Sequence, residues 1–230
     1  MTIRYVLGSR ASIGGPLGSG RGGAAAWYLA GGVSAANCVA AYQPKGAASL
    51  AASYTNLANP GTYNLEKYGT DITWDNTNGW GTNWASNRFL KTNIIPGEGG
   101  WSLIARWSNG TTAYSVAVGN NVNSGYKLGL GSGPFNAGWF HNGGSLLATG
   151  GAVAAGVYAV TDEPYRNGAD VGTLSGAPGT PATPIVIGGA YNISTAVANV
   201  WAGYIQAVAI YNVTLSAAQV AAISTAMAAL

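Results

Sequence analysis

Trp201-Ala202-Gly203-Tyr204-Ile205-Gln206-Ala207-Val208-Ala209-Ile210-Tyr211, followed by Leu215-Ser216-Ala217-Ala218-Gln219-Val220, decides the fold. With the two-residue period of a strand, Ile205, Ala207, Ala209 and Tyr211 share one face, and Tyr204, Gln206, Val208 and Ile210 share the other. Both faces are largely apolar, as expected of a strand covered on both sides. Ser216 and Gln219 have the spacing of a capping box. Val220, Ile223, Met227 and Leu230 then fall on one stripe of a short helix that begins there.

Working outward, short apolar runs separated by Gly and Asn read as further strands. Ala24-Ala25-Ala26-Trp27-Tyr28-Leu29 and Cys38-Val39-Ala40-Ala41-Tyr42 are the first two, and Asn59-Pro60-Gly61 is a turn because Pro fixes φ and Gly permits a positive φ. Trp101-Ser102-Leu103-Ile104-Ala105-Arg106-Trp107 is a strand. Val157 to Thr161, followed by Tyr165-Arg166-Asn167-Gly168, is a hairpin whose Asn-Gly pair suits a type I′ turn. In this order, with Ile187-Gly188-Gly189 ahead of the closing strand and helix, residues 38 to 230 resemble the laminin-G-like or concanavalin A-like jelly-roll family. Tyr42 stands where that family usually has Trp. The resemblance implies an all-β, two-sheet antiparallel jelly-roll sandwich with one short C-terminal helix.

Composition sets the remaining bounds. At 230 residues the chain is long enough for one sandwich with a sizeable core. Residues 1–23 are Gly-rich, carry Arg4, Arg10 and Arg21, and hold too little apolar surface to offset their ordering entropy, so they read as a flexible arm ahead of a domain over 24–230. The arm is expected to add as a strand to a neighbouring copy. Charged residues make up only 7% of the chain, against about 25% in an average soluble domain. So little like-charge repulsion favours self-association or packing among other subunits. The ten basic residues are dispersed, which excludes a nucleic-acid footprint. No apolar run approaches the ~20 residues of a membrane-spanning helix, so no membrane insertion is expected. Met1 to Gly8 has too short an apolar core for a signal peptide.

Chemistry narrows the function. Glycoside-cleaving relatives of the jelly roll place two carboxylates roughly 5 to 9 Å apart across the scissile bond. Here Glu66, Glu98 and Glu163 are far apart in sequence. Asp71 and Asp75, on one strand face, would stand about 13 Å apart at ~3.3 Å per residue. His141 is the single histidine and Cys38 the single cysteine, too few for a zinc site. A disulfide within the chain is excluded by the same count. Asp75-Asn76-Thr77-Asn78-Gly79 offers Asp75 and Asn78 as hard oxygen ligands for calcium, against the reading of an Asx turn. Trp74, Trp80, Trp84 and Tyr68 lie in a stretch rich in Asn, Thr and Gly that includes Asn83. Aromatic faces stack on sugar rings and Asn side chains orient hydroxyls, so this stretch is the glycan-binding candidate, against a core role for the same rings.

The expectation drawn from these residues is a non-enzymatic structural or interaction protein, a virion component of a bacterial virus made in the host cytoplasm. A glycan-binding lectin or adhesin is the alternative, and a glycoside hydrolase the third reading.

Overall fold

The computed structural model describes residues 26–81, 83–85, 87–97, 100–108, 115–120, 128–132, 138–142, 145–149, 154–174, 183–192, 196–198 and 200–230. The proposed arm over 1–23 lies outside them. In chain order the strands are β1 (Cys38–Tyr42), β2 (Glu66–Tyr68), β3 (Trp74–Asp75), β4 (Gly79–Trp80), β5 (Phe89–Lys91), β6 (Ser102–Ser108), β7 (Ser115–Gly119), β8 (Gly129–Ser132), β9 (Gly138–Asn142), β10 (Ser145–Thr149), β11 (Gly156–Val160), β12 (Pro164–Arg166), β13 (Ala169–Asp170), β14 (Val186–Ile187), β15 (Ala190–Asn192), β16 (Ala196–Ala198) and β17 (Tyr204–Tyr211). A one-turn helix α1 (Leu50–Ser53) and the C-terminal helix α2 (Ala217–Ala228) complete the elements, with short 3-10 turns ahead of β1.

The first sheet runs β13-β12-β11-β6-β17-β4-β3, with β1 also paired to β17. The second runs β10-β9-β8-β7-β14-β5-β2, and β15 and β16 form a separate hairpin. Every named strand pair is antiparallel. The all-β, two-sheet antiparallel sandwich closed by one short helix is therefore the fold. Strand β17 explains its own composition. On one side Ile205, Val208 and Ile210 join Trp80, Leu103, Trp107, Leu130 and Ile187 in the core between the sheets. On the other, Ala207, Ala209 and Tyr211 lie under Val220, Ile223 and Met227 of α2 and under Trp27. Ser216 and Gln219 form the capping box that starts the helix.

Two readings are corrected here. Ile205 does not share a face with Ala207, because the register slips between them: Ile205 faces Trp107 and Ala207 faces Arg106, leaving Gln206 as the extra residue of a bulge. A bulge shifts the alternation by one, which carries Ile205 into the core between the sheets. The run around Trp27 is not a strand. Trp27–Gly32 is a 3-10 turn that covers the outer face of the first sheet beside α2. Asn167 and Gly168 do hold positive φ values of 51° and 81° between β12 and β13, as a type I′ turn requires.

Beyond its pairing with β17, strand β1 is covered by side chains. Buried Asn56 accepts from the Ala41 and Ala58 N–H groups at 3.0 Å each and donates to the Val39 and Thr62 carbonyls at 3.0 and 2.8 Å. The Leu57 N–H adds a bond to the Ala41 carbonyl at 2.8 Å. The loop after α1 is thus fastened along β1 by the Asn56 and Asn59 amides, which also blunt an edge that otherwise invites pairing with another chain.

Replacing Ile210 by Asp should abolish the folded protein, since an unpaired buried charge costs several kcal/mol, the order of a domain's whole stability. A folded Asp variant would overturn the placement of β17. Asn56→Ala leaves the buried Ala41 N–H of β1 unpaired and frees the loop groups that Asn56 holds, while the Val39 carbonyl keeps its bond from Asn59, and should cost about 3 kcal/mol, or a fall in Tm of ~6 to 12 °C. Urea denaturation and thermal melts measure both.

Candidate functional site

At the bulge, the Gln206 carbonyl accepts from the Lys45 N–H at 3.3 Å. The loop 43–47 is thereby seated against β17. Its other side is tied to the β3–β4 hairpin. The Gly46 N–H donates to the Asn76 carbonyl at 2.6 Å, and the Trp74 indole N–H donates to the Pro44 carbonyl at 2.9 Å. Trp80 holds α1 in place through an indole bond to Ser53 Oγ at 2.8 Å, and Ser49 Oγ caps α1 by accepting from the Ala52 N–H. Between these pieces lies a pocket of about 260 Å³ lined by Gln43, Gly46, Ala47, Ala52 and Leu57.

Gln43 is the polar group of that pocket. Its Oε1 accepts from the Trp27 indole N–H at 2.9 Å, and its Nε2 donates to the Lys45 carbonyl at 3.2 Å. An indole only donates and a carbonyl only accepts, so the two bonds fix which way the amide points. One N–H and one lone pair remain. No lining residue is charged, and the Lys45 ammonium, on the same loop, is taken by the backbone oxygen of Leu230 at 2.6 Å.

The residues singled out in the sequence do not converge on this pocket. Trp80 is fully buried in the core between the sheets, so its ring is no exposed platform. Trp84 is 7% exposed and bonded to the Gly203 carbonyl, and its ring lies where a Cβ on Gly188 would stand, which accounts for glycine there at φ 95°. Trp74 is half-buried against the same core. Tyr68 belongs to the second sheet, where it stacks on Phe89 at 4.7 Å with the Lys91 ammonium 4.7 Å from its ring centre. Asn83 Oδ1 accepts from the N–H and hydroxyl of Thr73, fastening its own loop. The pocket residues Gln43, Ala52 and Leu57 had no signal in the sequence beyond the Pro44-Lys45-Gly46 turn composition.

The calcium candidates form an Asx turn. Asp75 Oδ1 accepts from the Thr77 and Asn78 N–H groups at 2.9 and 2.7 Å, and Oδ2 from Asn78 Nδ2 at 3.1 Å. Among the described residues no three His, Cys, Asp or Glu side chains gather as a metal group. Asp71 precedes β3 instead of sharing its face with Asp75, and it pairs with Lys67 at 2.7 Å. Glu98 lies outside the described residues. His141 sits within β9, opposite Gly129 and Leu146. Burial pushes the Cys38 thiol up to about 12, so it stays protonated.

No protein-family model matches the chain, and no curated protein matches it. Solved structures do share its fold. The sialidase of Trypanosoma rangeli matches with a TM-score of 0.52 and 14% identity over 83% of this chain, which spans only 33% of the sialidase. A mutant of HCR/D matches with the same TM-score and identity over 83% of this chain and 51% of its own. These likenesses show that the chain shares a β-sandwich fold with parts of larger proteins. They also overturn the expectation that the chain is no enzyme, which rested on carboxylates widely spaced in sequence. The same sandwich forms part of this sialidase, an enzyme also described with a covalent intermediate. Folding can gather acid groups that sequence spacing separates, so the missing motif is no ground for exclusion. Nothing in the comparisons concerns a virion.

The bonds from the N–H and side chain of Asn78 hold the Asp75 carboxyl below its usual value. A carboxyl depressed in the folded state adds stability above its unfolded value near ~3.9, and that contribution is lost as pH falls through the lower folded value. Asp75→Asn should therefore flatten the decline of stability below about pH 4, read by urea unfolding at stepped pH. Millimolar calcium that raised the midpoint of the parent chain but not of this variant would restore the metal reading.

Proposed function

We propose that this chain is a carbohydrate-binding β-sandwich domain. The observation that carries the reading is the pocket over loop 43–47 and α1, where a single oriented amide stands among small and aliphatic walls with no charge. Ligand sites are mostly apolar with a few fixed polar groups, and a neutral sugar offers the matching mixture of C–H faces and hydroxyls. At about 260 Å³ the pocket lies below the ~300 to 1,000 Å³ of sites for drug-sized ligands, which suits one sugar ring of a chain. The fold is also shared with part of a sialidase described in complex with 2,3-difluorosialic acid, a sugar whose carboxylate this uncharged pocket does not match.

A glycan partner is supported here better than virion subunits or self-association. The chemistry is the same wherever the domain is displayed, so a virion carrying it would use it for attachment. Cleavage of the bound glycan is a separate activity that release of reducing ends will measure.

A panel of immobilised neutral and acidic glycans should retain the purified chain. Gln43→Ala should weaken retention at least tenfold, ~1.4 kcal/mol, and Ala52→Trp should block it. Ala52 is exposed, so the second variant should keep the parent's melting temperature. Binding that survives both changes would place the glycan elsewhere.

A further inference from the structure

Resting on the carbohydrate reading of the same pocket, we infer that its preferred ligand is a neutral 2-acetamido sugar. Three kinds of group meet there. Gln43 has one N–H and one lone pair left after its bonds to Trp27 and Lys45. Ala47, Ala52 and Leu57 supply aliphatic surface, and Leu57 is 38% exposed. Gly46, at a φ of +81° that side chains rarely adopt, places bare backbone beside the amide, 3.7 Å from Gln43 Nε2 to where a Cβ would stand.

An acetamido group has the complementary parts. Its methyl covers aliphatic wall that a hydroxyl would leave facing water, and its carbonyl accepts the remaining Gln43 N–H. A sugar bearing only hydroxyls meets the amide but has no methyl for the three apolar side chains. A carboxylate sugar fits worse still. No cation lines the pocket, the Lys45 ammonium is committed to Leu230, and an unpaired carboxylate resists leaving water. The sequence is equally spare in charge here, with Lys45 the single charged residue between Met1-proximal Arg21 and Glu66.

Calorimetric titration of the full chain with matched pairs tests this: N-acetylglucosamine and N-acetylgalactosamine oligosaccharides against the corresponding glucose and galactose oligosaccharides, with N-acetylneuraminic acid as the acidic member. The acetamido sugars should bind at least tenfold tighter than their hydroxyl counterparts, ~1.4 kcal/mol, and tighter than the acidic sugar. Ala52→Leu, which fills the apolar wall from an exposed position, should erase the preference without lowering Tm. Equal Gln43-dependent binding of both members of a pair overturns the acetamido inference and leaves the carbohydrate reading standing. Tighter binding of N-acetylneuraminic acid overturns the neutral part. Failure of every sugar to bind the folded chain overturns the inference together with the reading beneath it.

Discussion

Strand β17 has no side that meets water, and the rest of the structure is arranged to satisfy it. The second sheet covers one face, and α2 with the Trp27 turn covers the other. β6 pairs along one edge, while β4 and β1 divide the other. A strand so enclosed must have each backbone polar group matched by protein, since an unpaired buried group costs about as much as a lost hydrogen bond. The residue that breaks the β6 register, Gln206, shows how strictly this holds. Its carbonyl is met by the Lys45 N–H, one of the bonds that seat the loop after β1 against the sheet.

Much of the fold was legible because its signals are local. The two-sided apolarity of residues 204–211, the Ser216–Gln219 capping box and the Asn167-Gly168 turn each depend on residues a few positions apart, and each is present. The face occupied by Ile205 was not legible, because a bulge leaves no mark in an apolar run and reverses everything before it. Trp27 misled for a related reason. Apolar Ala-Trp-Tyr-Leu reads as strand by composition, yet the open outer face of the first sheet needed a cover that α2 alone does not supply.

The candidate site was harder, since its parts come together only through distant contacts. Trp80 and Trp84 sit among Asn, Thr and Gly, a neighbourhood that suggests exposure. Their depth is set instead by partners remote in sequence: Ser53 for Trp80, and Gly203 and Gly188 for Trp84. Gln43 and Ala52 were silent because neither belongs to a motif. They face one pocket because Asn56 fastens the following loop to β1 and Trp74 fastens the preceding one through Pro44.

The low charge of the chain suggested an assembly surface, and the structure offers a different account of it. Asn side chains do much of the work that ion pairs and backbone ladders do elsewhere: Asn56 and Asn59 cover β1, Asn83 ties the loop after β4, Asn120 accepts from the Leu128 N–H, and Asn167 accepts from the Val157 N–H. A neutral amide both donates and accepts, so it can satisfy a carbonyl and an N–H at once without the desolvation penalty of a buried ion. Gln43 follows the same pattern, bridging Trp27 and Lys45 inside the pocket. A chain that organises its loops with amides leaves amides, not charges, at the surface those loops enclose. A neutral sugar, the ligand proposed for that surface, is itself uncharged, rich in donors and acceptors, and partly apolar.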